Sequence, residues 1–480
     1  MMIKPTFMAA LALLALAAAA QPYEAPPPPA EPRSPQIAPP AEFKLANGLR
    51  VIVAERRGVP LVSTRLVVLA GAEADPPQRA GLASLTAGLL TRGTKLHSAP
   101  ALASAAEALG GSLDSGAGWN QSAVSITVTT PLLPRALALV AEAATTPTFA
   151  PQEIERLRTQ ALDEMKVAYA QPGTLASLTV QRAVYGAGSY GHPSSGTPTS
   201  LPRISRADIA TLHAATFRPD NAVLVLAGDI DAGAARKLAQ QHFGAWKRPA
   251  APLPKASAPR EQPWPEGVVV VDMAGAGQAG VSLALPAVPA DSPERMAGAV
   301  TNTVLGGGYS SRLSQEIRIK RGLSYSVGSH LDARRQAGAL RIGLQTKNPS
   351  AAEVIQLIHA ELDGLAAQPV GADELTARKA TLIGGFSRAL ETTGGLAGEV
   401  AALAVAGLPP ADLTQRIARL EAVGPSDVQA FATKHFARTQ RRVVVAGVAA
   451  EFEPALKAQG GRVVVVKQSA LDLESSAAPN

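Results

Sequence analysis

The chain has 480 residues, 46% hydrophobic and 17% charged, with a formal charge of +7 and no cysteine. That length allows a large core or two to three domains, and the lack of cysteine excludes disulfides, zinc knuckles and thiol catalysis. Nucleic-acid binding is not supported either: Lys and Arg are scattered and aromatics make up only 4%, whereas such binding needs clustered basic and stacking surfaces.

Residues 1–20 fit a secretory signal, with Lys4, an apolar run from Met8 to Ala17 and a small-residue cleavage site at Ala18-Ala19-Ala20. The run is too short to span a bilayer and no later segment is long enough. The expected product is a soluble bacterial chain, periplasmic or secreted, of charge 7 − 1 = +6 once Lys4 is removed. Residues 21–41 form a disordered spacer, with nine Pro between 22 and 40. Ordered structure begins at EFKLANGLRVIV, where Asn47-Gly48 lies between two extended runs as a hairpin turn. In the first half, strands are predicted near 50–53, 62–69, 124–129 and 222–227, and helices near 80–92, 99–108, 133–145, 151–169 and 205–216. In the second, strands fall near 268–272, 281–285, 339–345 and 443–446, and helices near 292–304, 311–320, 351–367, 372–390 and 425–435. A Pro-rich linker at 247–267 separates the halves, and residues 468–480 form a frayed tail.

The halves are related. Residues 204–230 match residues 423–449 without a gap: Asp208 pairs with Asp427 (427 − 208 = 219), Phe217 with Phe436 and Gly228 with Gly447. Each copy reads as an N-capped amphipathic helix followed by a buried strand. The period is too long for a solenoid and implies two homologous domains, 42–246 and 268–467. Alternating strands and helices make the fold class α+β, each domain a mixed sheet packed with helices.

GAGQAG (275–280) matches a dinucleotide fingerprint, but a strand-like VSLALPAVP follows where a helix is required, so it reads as a turn. No two of the seven His lie three to five residues apart, so no local metal-ligand pair exists. His213 and His435 fall on the repeat helices in structural positions, and His192 in a loop that packs locally. Residues 306–327, GGGYSSRLSQEIRIKRGLSYSV, read as a Gly turn, a helix with Leu313 and Ile317 on one face, a stop at Gly322 and a strand. By that alternation alone, Tyr325 is a half-buried core residue.

Two segments carry a family resemblance. GLASLTAGLLTRGT (81–94) resembles the active-site helix GLAHxxEHxLFKGT of the M16 (insulinase/pitrilysin) peptidases. In that register Ser84 and Gly88 stand for the two zinc-binding His and Ala87 for the catalytic Glu, and none of these can ligate zinc strongly or act as a base. The third family ligand, a Glu, maps to Glu164 (164 − 88 = 76), which reads equally as an ordinary helix residue. The 306–327 segment is very similar to the family's C-terminal motif, in which an Arg and a Tyr seven apart complete the active site; these are Arg318 and Tyr325. Both donate hydrogen bonds suited to a substrate carbonyl and its oxyanion, and Gly306-Gly307-Gly308 would let a peptide backbone approach.

The resemblance implies a zinc-free subunit of a heteromeric, M16B-like peptidase. A homologous partner with an HxxEH motif would hold the zinc, this chain would bind no cofactor, and the pair would enclose a chamber for peptides or unfolded polypeptides. Two rivals remain: a non-catalytic structural or peptide-binding protein of the same fold, and a stand-alone metallopeptidase with unconventional ligands.

Overall fold

The computed structural model describes residues 38–254, 264–265 and 267–474. The predicted signal, most of the spacer, the middle of the linker and the end of the tail lie outside them.

Two six-stranded sheets organise the chain. The first uses β1 (Ala41–Lys44), β2 (Arg50–Glu55), β3 (Leu61–Val68), β4 (Asp114–Ala117), β5 (Ser122–Thr129) and β6 (Ala222–Gly228), ordered β1-β2-β6-β3-β5-β4. The second uses β7 (Val268–Asp272), β8 (Ala279–Ala287), β9 (Val327–Ala333), β10 (Gly338–Thr346), β11 (Arg442–Gly447) and β12 (Val463–Lys467), ordered β12-β7-β11-β8-β10-β9. Five strands correspond: β2, β6, β3, β5 and β4 take the places of β7, β11, β8, β10 and β9. The β2·β6 and β7·β11 pairs are both parallel, and the remaining equivalents antiparallel. The sixth strand differs. β1 pairs antiparallel with β2 through the Asn47-Gly48 turn, whereas β12 adds parallel to β7.

The first half carries helices α1 (Leu82–Leu89), α2 (Ala99–Glu107), α3 (Leu133–Thr145), α4 (Pro151–Tyr169), α5 (Pro172–Tyr185), α6 (Arg206–Thr216) and α7 (Ala232–Phe243). The second carries α8 (Arg295–Gly306), α9 (Ala351–Ala367), α10 (Ala372–Leu390), α11 (Thr393–Ala406), α12 (Asp412–Glu421), α13 (Pro425–His435) and α14 (Ala449–Ala458). Helices α3, α4, α9, α10 and α13 keep the predicted bounds to the residue. GAGQAG spans the turn between β7 and β8 and the first two residues of β8, so a strand follows where a dinucleotide site needs a helix. Among the described residues no helix is long and apolar enough to cross a membrane.

The repeat is visible in its caps. Asp208 accepts the backbone N–H of Ser205 at 2.9 Å, and its counterpart Asp427 accepts that of Gly424 at 2.8 Å. Each carboxylate satisfies one donor and faces the positive end of its helix, α6 or α13. Phe217 and Phe436, at the ends of those helices, are both buried.

Each sheet is covered on both faces, and one cover comes from the other half. On β6, Leu224 and Leu226 point into the core made by the first half's own helices, while Val223, Val225 and Ala227 pack on Leu396, Ala397, Val400 and Ala401 of α11. On β11, Val443 and Val445 face the second half's helices, while Val444 and Ala446 pack on Leu175, Ala176 and Val180 of α5. The exchange is reciprocal, since α5 and α11 follow each other at nearly the repeat offset (393 − 172 = 221). It explains why β6 and the run VVVV of β7 lack polar alternation: a strand buried on both faces has no solvent side. The equivalent hairpin tips also meet. Asn120, between β4 and β5, accepts the Arg335 backbone N–H at 3.0 Å and the Arg335 guanidinium at 2.8 Å. Beside them the Arg334 guanidinium lies 4.0 Å from the Trp119 ring and 4.4 Å from that of Tyr185.

On α9, His359 Nδ1 lies 2.9 Å from the Arg441 guanidinium, which can only donate, so the ring is neutral with Nδ1 accepting. Burial first, and the Arg441 and Arg438 charges next, lower its pKa from 6.5 to about 4. The unfolded chain therefore binds this proton at a pH where the folded one does not. Stability from this site is complete above the unfolded value and falls as pH drops from 6.5 to about 4, in total by on the order of 3 kcal/mol. His359→Asn, whose amide oxygen can replace Nδ1 as acceptor, should flatten that part of the urea-midpoint profile against pH. An unchanged acid slope in the variant would refute the assignment.

Candidate active site

Helix α1 begins at Gly81 (φ +91°), a left-handed position that suits glycine. Gly81 has no capping side chain, and the buried Asp75 carboxylate substitutes for one, accepting N–H groups of Gly81 and Ala83 at 2.8 Å each. Burial nevertheless raises the Asp75 pKa well above the ordinary carboxylate range. The three positions of the predicted metal site are built into packing. Ser84 Oγ donates to the Ser194 carbonyl at 2.8 Å, and Ala87 is fully buried. A Cβ on Gly88 would sit 2.9 Å from Leu157 Cδ2, the tip of a half-buried side chain on α4 that would have to turn aside. Glu164, seven residues further along α4, is exposed and accepts from Gln160 Nε2 at 2.9 Å. Among the described residues no group of three or more His, Asp or Glu could hold a metal. The donor set does not fit a zinc ion at these positions: Ala87 and Gly88 carry no ligand atom and the Ser84 hydroxyl is committed to a backbone carbonyl.

The second predicted site is assembled. Leu313 and Ile317 are fully buried and anchor a helical turn at Ser314–Ile319 that is π-type, with Lys320 N–H reaching back five residues to the Gln315 carbonyl. Such wide turns are rare and shift the side chains they carry. This one carries Arg318. The chain leaves through Gly322 (φ +62°), and Leu323 N–H bonds the Ile317 carbonyl at 2.9 Å. The Thr346 hydroxyl holds the Leu323 carbonyl at 2.6 Å, and the buried Ser324 Oγ lies 2.7 Å from the carbonyls of Ser326 and Gln345.

Strand β9 begins only at Val327, so the alternation that would half-bury Tyr325 does not apply. The ring stands 86% exposed on a tethered bend. Arg318 lies between two aromatic rings, 4.9 Å from Tyr325 and 5.0 Å from Tyr309, distances at which a cation is attracted to the ring face. No hydrogen bond engages the Arg318 guanidinium or the Tyr325 hydroxyl among the described residues, so both remain available as donors. Sequence reading does not single out Tyr309; only its place beside the Gly run signals it.

The three glycines divide. A Cβ on Gly306 would lie 2.4 Å from the Ser329 backbone nitrogen, and one on Gly307 2.6 Å from Thr303 Cα, so both have packing reasons of their own. Gly308 alone faces open space. His213 and His435 are structural, bonding the Ala144 carbonyl and Glu294 at 2.9 Å each. His192 is buried beside Trp119, and burial lowers its pKa.

The family model described as insulinase (peptidase family M16) matches residues 50–197, and the peptidase M16 inactive domain matches 203–382. An uncharacterised zinc protease of Mycobacterium tuberculosis is 30% identical over 356 residues, 73% of this chain and 80% of that one. The chain belongs to peptidase family M16. A second relative, an uncharacterised zinc protease of Streptomyces coelicolor, is 27% identical over 391 residues, 81% of this chain and 85% of that one. The solved peptidase M16 inactive domain from Pseudomonas fluorescens superposes with a TM-score of 0.79 at 28% identity, over 85% of this chain and 98% of that one. The second half of this M16 chain matches the family's inactive domain, and its two sheets with packed helices are the fold of that structure.

Proposed function

We propose that this chain is the zinc-free subunit of a two-chain M16 peptidase, exported to the periplasm or beyond, which lends Arg318 and Tyr325 to peptide hydrolysis at its partner's zinc site. The observation that carries this reading is an asymmetry within the chain. The metal-site positions carry no free ligand, since Ser84 is bonded to a backbone carbonyl and Ala87 and Gly88 have no ligand atom, while Arg318 lies against a tethered, outward-facing Tyr325. A purely structural subunit has no need of a π-turn and three side-chain tethers to present one exposed Tyr and a guanidinium without a hydrogen-bond partner. In this role the Tyr325 phenol and Arg318 guanidinium donate to the substrate carbonyl, where negative charge develops during acyl transfer. Open space at Gly308 leaves room for the peptide backbone.

The purified chain alone is expected to hold no stoichiometric zinc and to cleave no peptide. Mixed with a homologous exported chain that carries an intact HxxEH motif, it should form a complex that cleaves fluorogenic peptides. One tightly held zinc per chain by mass spectrometry, or chelator-sensitive cleavage by this chain alone, would overturn the proposal.

A further inference from the structure

Behind Tyr325 runs a groove of about 740 Å³, bounded by β8, β9 and β10 on the face that α5 covers. Its floor is lowest at Gly328 and Gly343, which are register partners across β9 and β10; a Cβ on Gly343 would meet nothing within 4 Å, and one on Gly328 only the Gly306 carbonyl at 3.4 Å. That gives an extended chain room to lie along the strands. Among the residues lining the groove are Arg341 and His330, also register partners, and no Asp or Glu. Arg341 is only loosely held. Its Nη2 is 3.8 Å from Asp332, a carboxylate already bonded by Arg334 through Nε at 2.9 Å, and its own Nε is buried without a partner. Two guanidinium groups thus share one carboxylate, leaving one positive charge uncompensated at the groove wall. The first turn of α5, which borders the same groove at Gly173, carries no acidic residue, so the helix end adds to the same sign.

The repeat supplies an internal comparison. The equivalent groove of the first half, about 600 Å³, is bounded by β3, β5 and the start of α11, and is lined by Glu107 and Asp114 against the single cation Arg65. The two grooves occupy the same place in the fold and carry opposite charge. Only the one behind Tyr325 favours an anion.

We propose that the groove behind Tyr325 binds acidic peptide segments, with Arg341 recognising the carboxylate. This deepens the reading of Tyr325 as substrate-facing and rests on it for the link to hydrolysis. The substrate class is then peptides that carry Glu or Asp next to the cleaved bond. Arg341 is the specificity residue because a guanidinium can hold a carboxylate by two parallel hydrogen bonds.

The test uses the chain alone, so its outcome is separate from that of the two-chain cleavage assay. A short labelled peptide with alternating Glu is compared by fluorescence anisotropy with its Gln counterpart. The Glu peptide should bind at least about tenfold more tightly, the discrimination expected of one charge-assisted pair. Arg341→Gln should remove that preference, while Lys237→Gln, on the exposed face of α7, should keep it. Equal affinity of the unsubstituted chain for the two peptides, a preference that survives Arg341→Gln, or an equal loss in Lys237→Gln would each overturn the proposal. The last result would assign the effect to the chain's overall positive charge. Failure of the cleavage assay with an intact Glu preference would instead remove the hydrolytic role and leave the groove standing.

Discussion

In the two-chain complex, Tyr325→Phe lowers kcat by roughly 10²–10³, the loss seen when one well-aligned oxyanion donor is removed, and leaves assembly unchanged. The substitution isolates the hydroxyl. The ring 4.9 Å from Arg318 is retained, and the hydroxyl has no internal partner, so stability should move by less than about 0.5 kcal/mol, as for an exposed site. Arg318→Ala acts differently. A guanidinium can hold a carbonyl in the ground state as well as in the transition state, so KM rises along with the fall in kcat. The Tyr309 ring, 5.0 Å from Arg318 on its other side, also loses its cation. Steady-state kinetics on the reconstituted complex separates these effects. A complex with both substitutions that cleaves at the unsubstituted rate would show that the pair has no catalytic part.

Val400→Asp and Val180→Asp each destabilise the whole chain, by on the order of 4 kcal/mol or more, because a carboxylate is placed in an apolar layer without a partner. Both side chains are almost fully buried, and each sits on a helix of one half against the sheet of the other. The location of the damage is the informative part. Val400→Asp lies in the second half's sequence, yet hydrogen exchange should show loss of protection first in β2, β3 and β6 of the first half. Val180→Asp should do the converse to β7, β8 and β11. If each substitution weakens only the sheet of its own half, the exchanged helices do not carry the coupling described here.

The same two helices mark where sequence reading stops. Helices α4, α9, α10 and α13 were legible to the residue because each has one apolar face and one wet face, and solvent imposes the 3.6-residue period. Helices α5 and α11 were not recognised. TGGLAGEVAALAVA in α11 is small and apolar nearly all round, since it is wedged against a foreign sheet and has little solvent face to pattern. α7, α12 and α14, of ten to twelve residues, were missed as well, along with the four-residue strand β4 at a sheet edge. The strand β12 was overlooked although its VVVV run carries the same local signal as β7; its pairing with β7, 195 residues away (463 − 268 = 195), is what only the structure shows.

By itself the sequence determined the fold class, the duplication, most of the strands, and the family to which the chain belongs. Each of these is written in short-range pattern or in residues at fixed spacing, such as Asp208 with Asp427 or Arg318 with Tyr325. It also showed that Ser84, Ala87 and Gly88 lack metal-binding chemistry. Only the tertiary structure decided that the Ser84 hydroxyl is taken by the Ser194 carbonyl, that each half lends a helix to the other's sheet, and that Tyr325 stands clear of the core instead of within it. The last point turns on four residues. Leu323–Ser326 has the alternation of a strand and runs beside the end of β10, but it joins β10 through the Ser324 and Thr346 hydroxyls instead of a backbone ladder, and these tethers hold it as a bend. Alternation predicts burial only where the segment joins a backbone ladder and the sheet face it points to is covered, and both are set by the packing of distant parts of the chain.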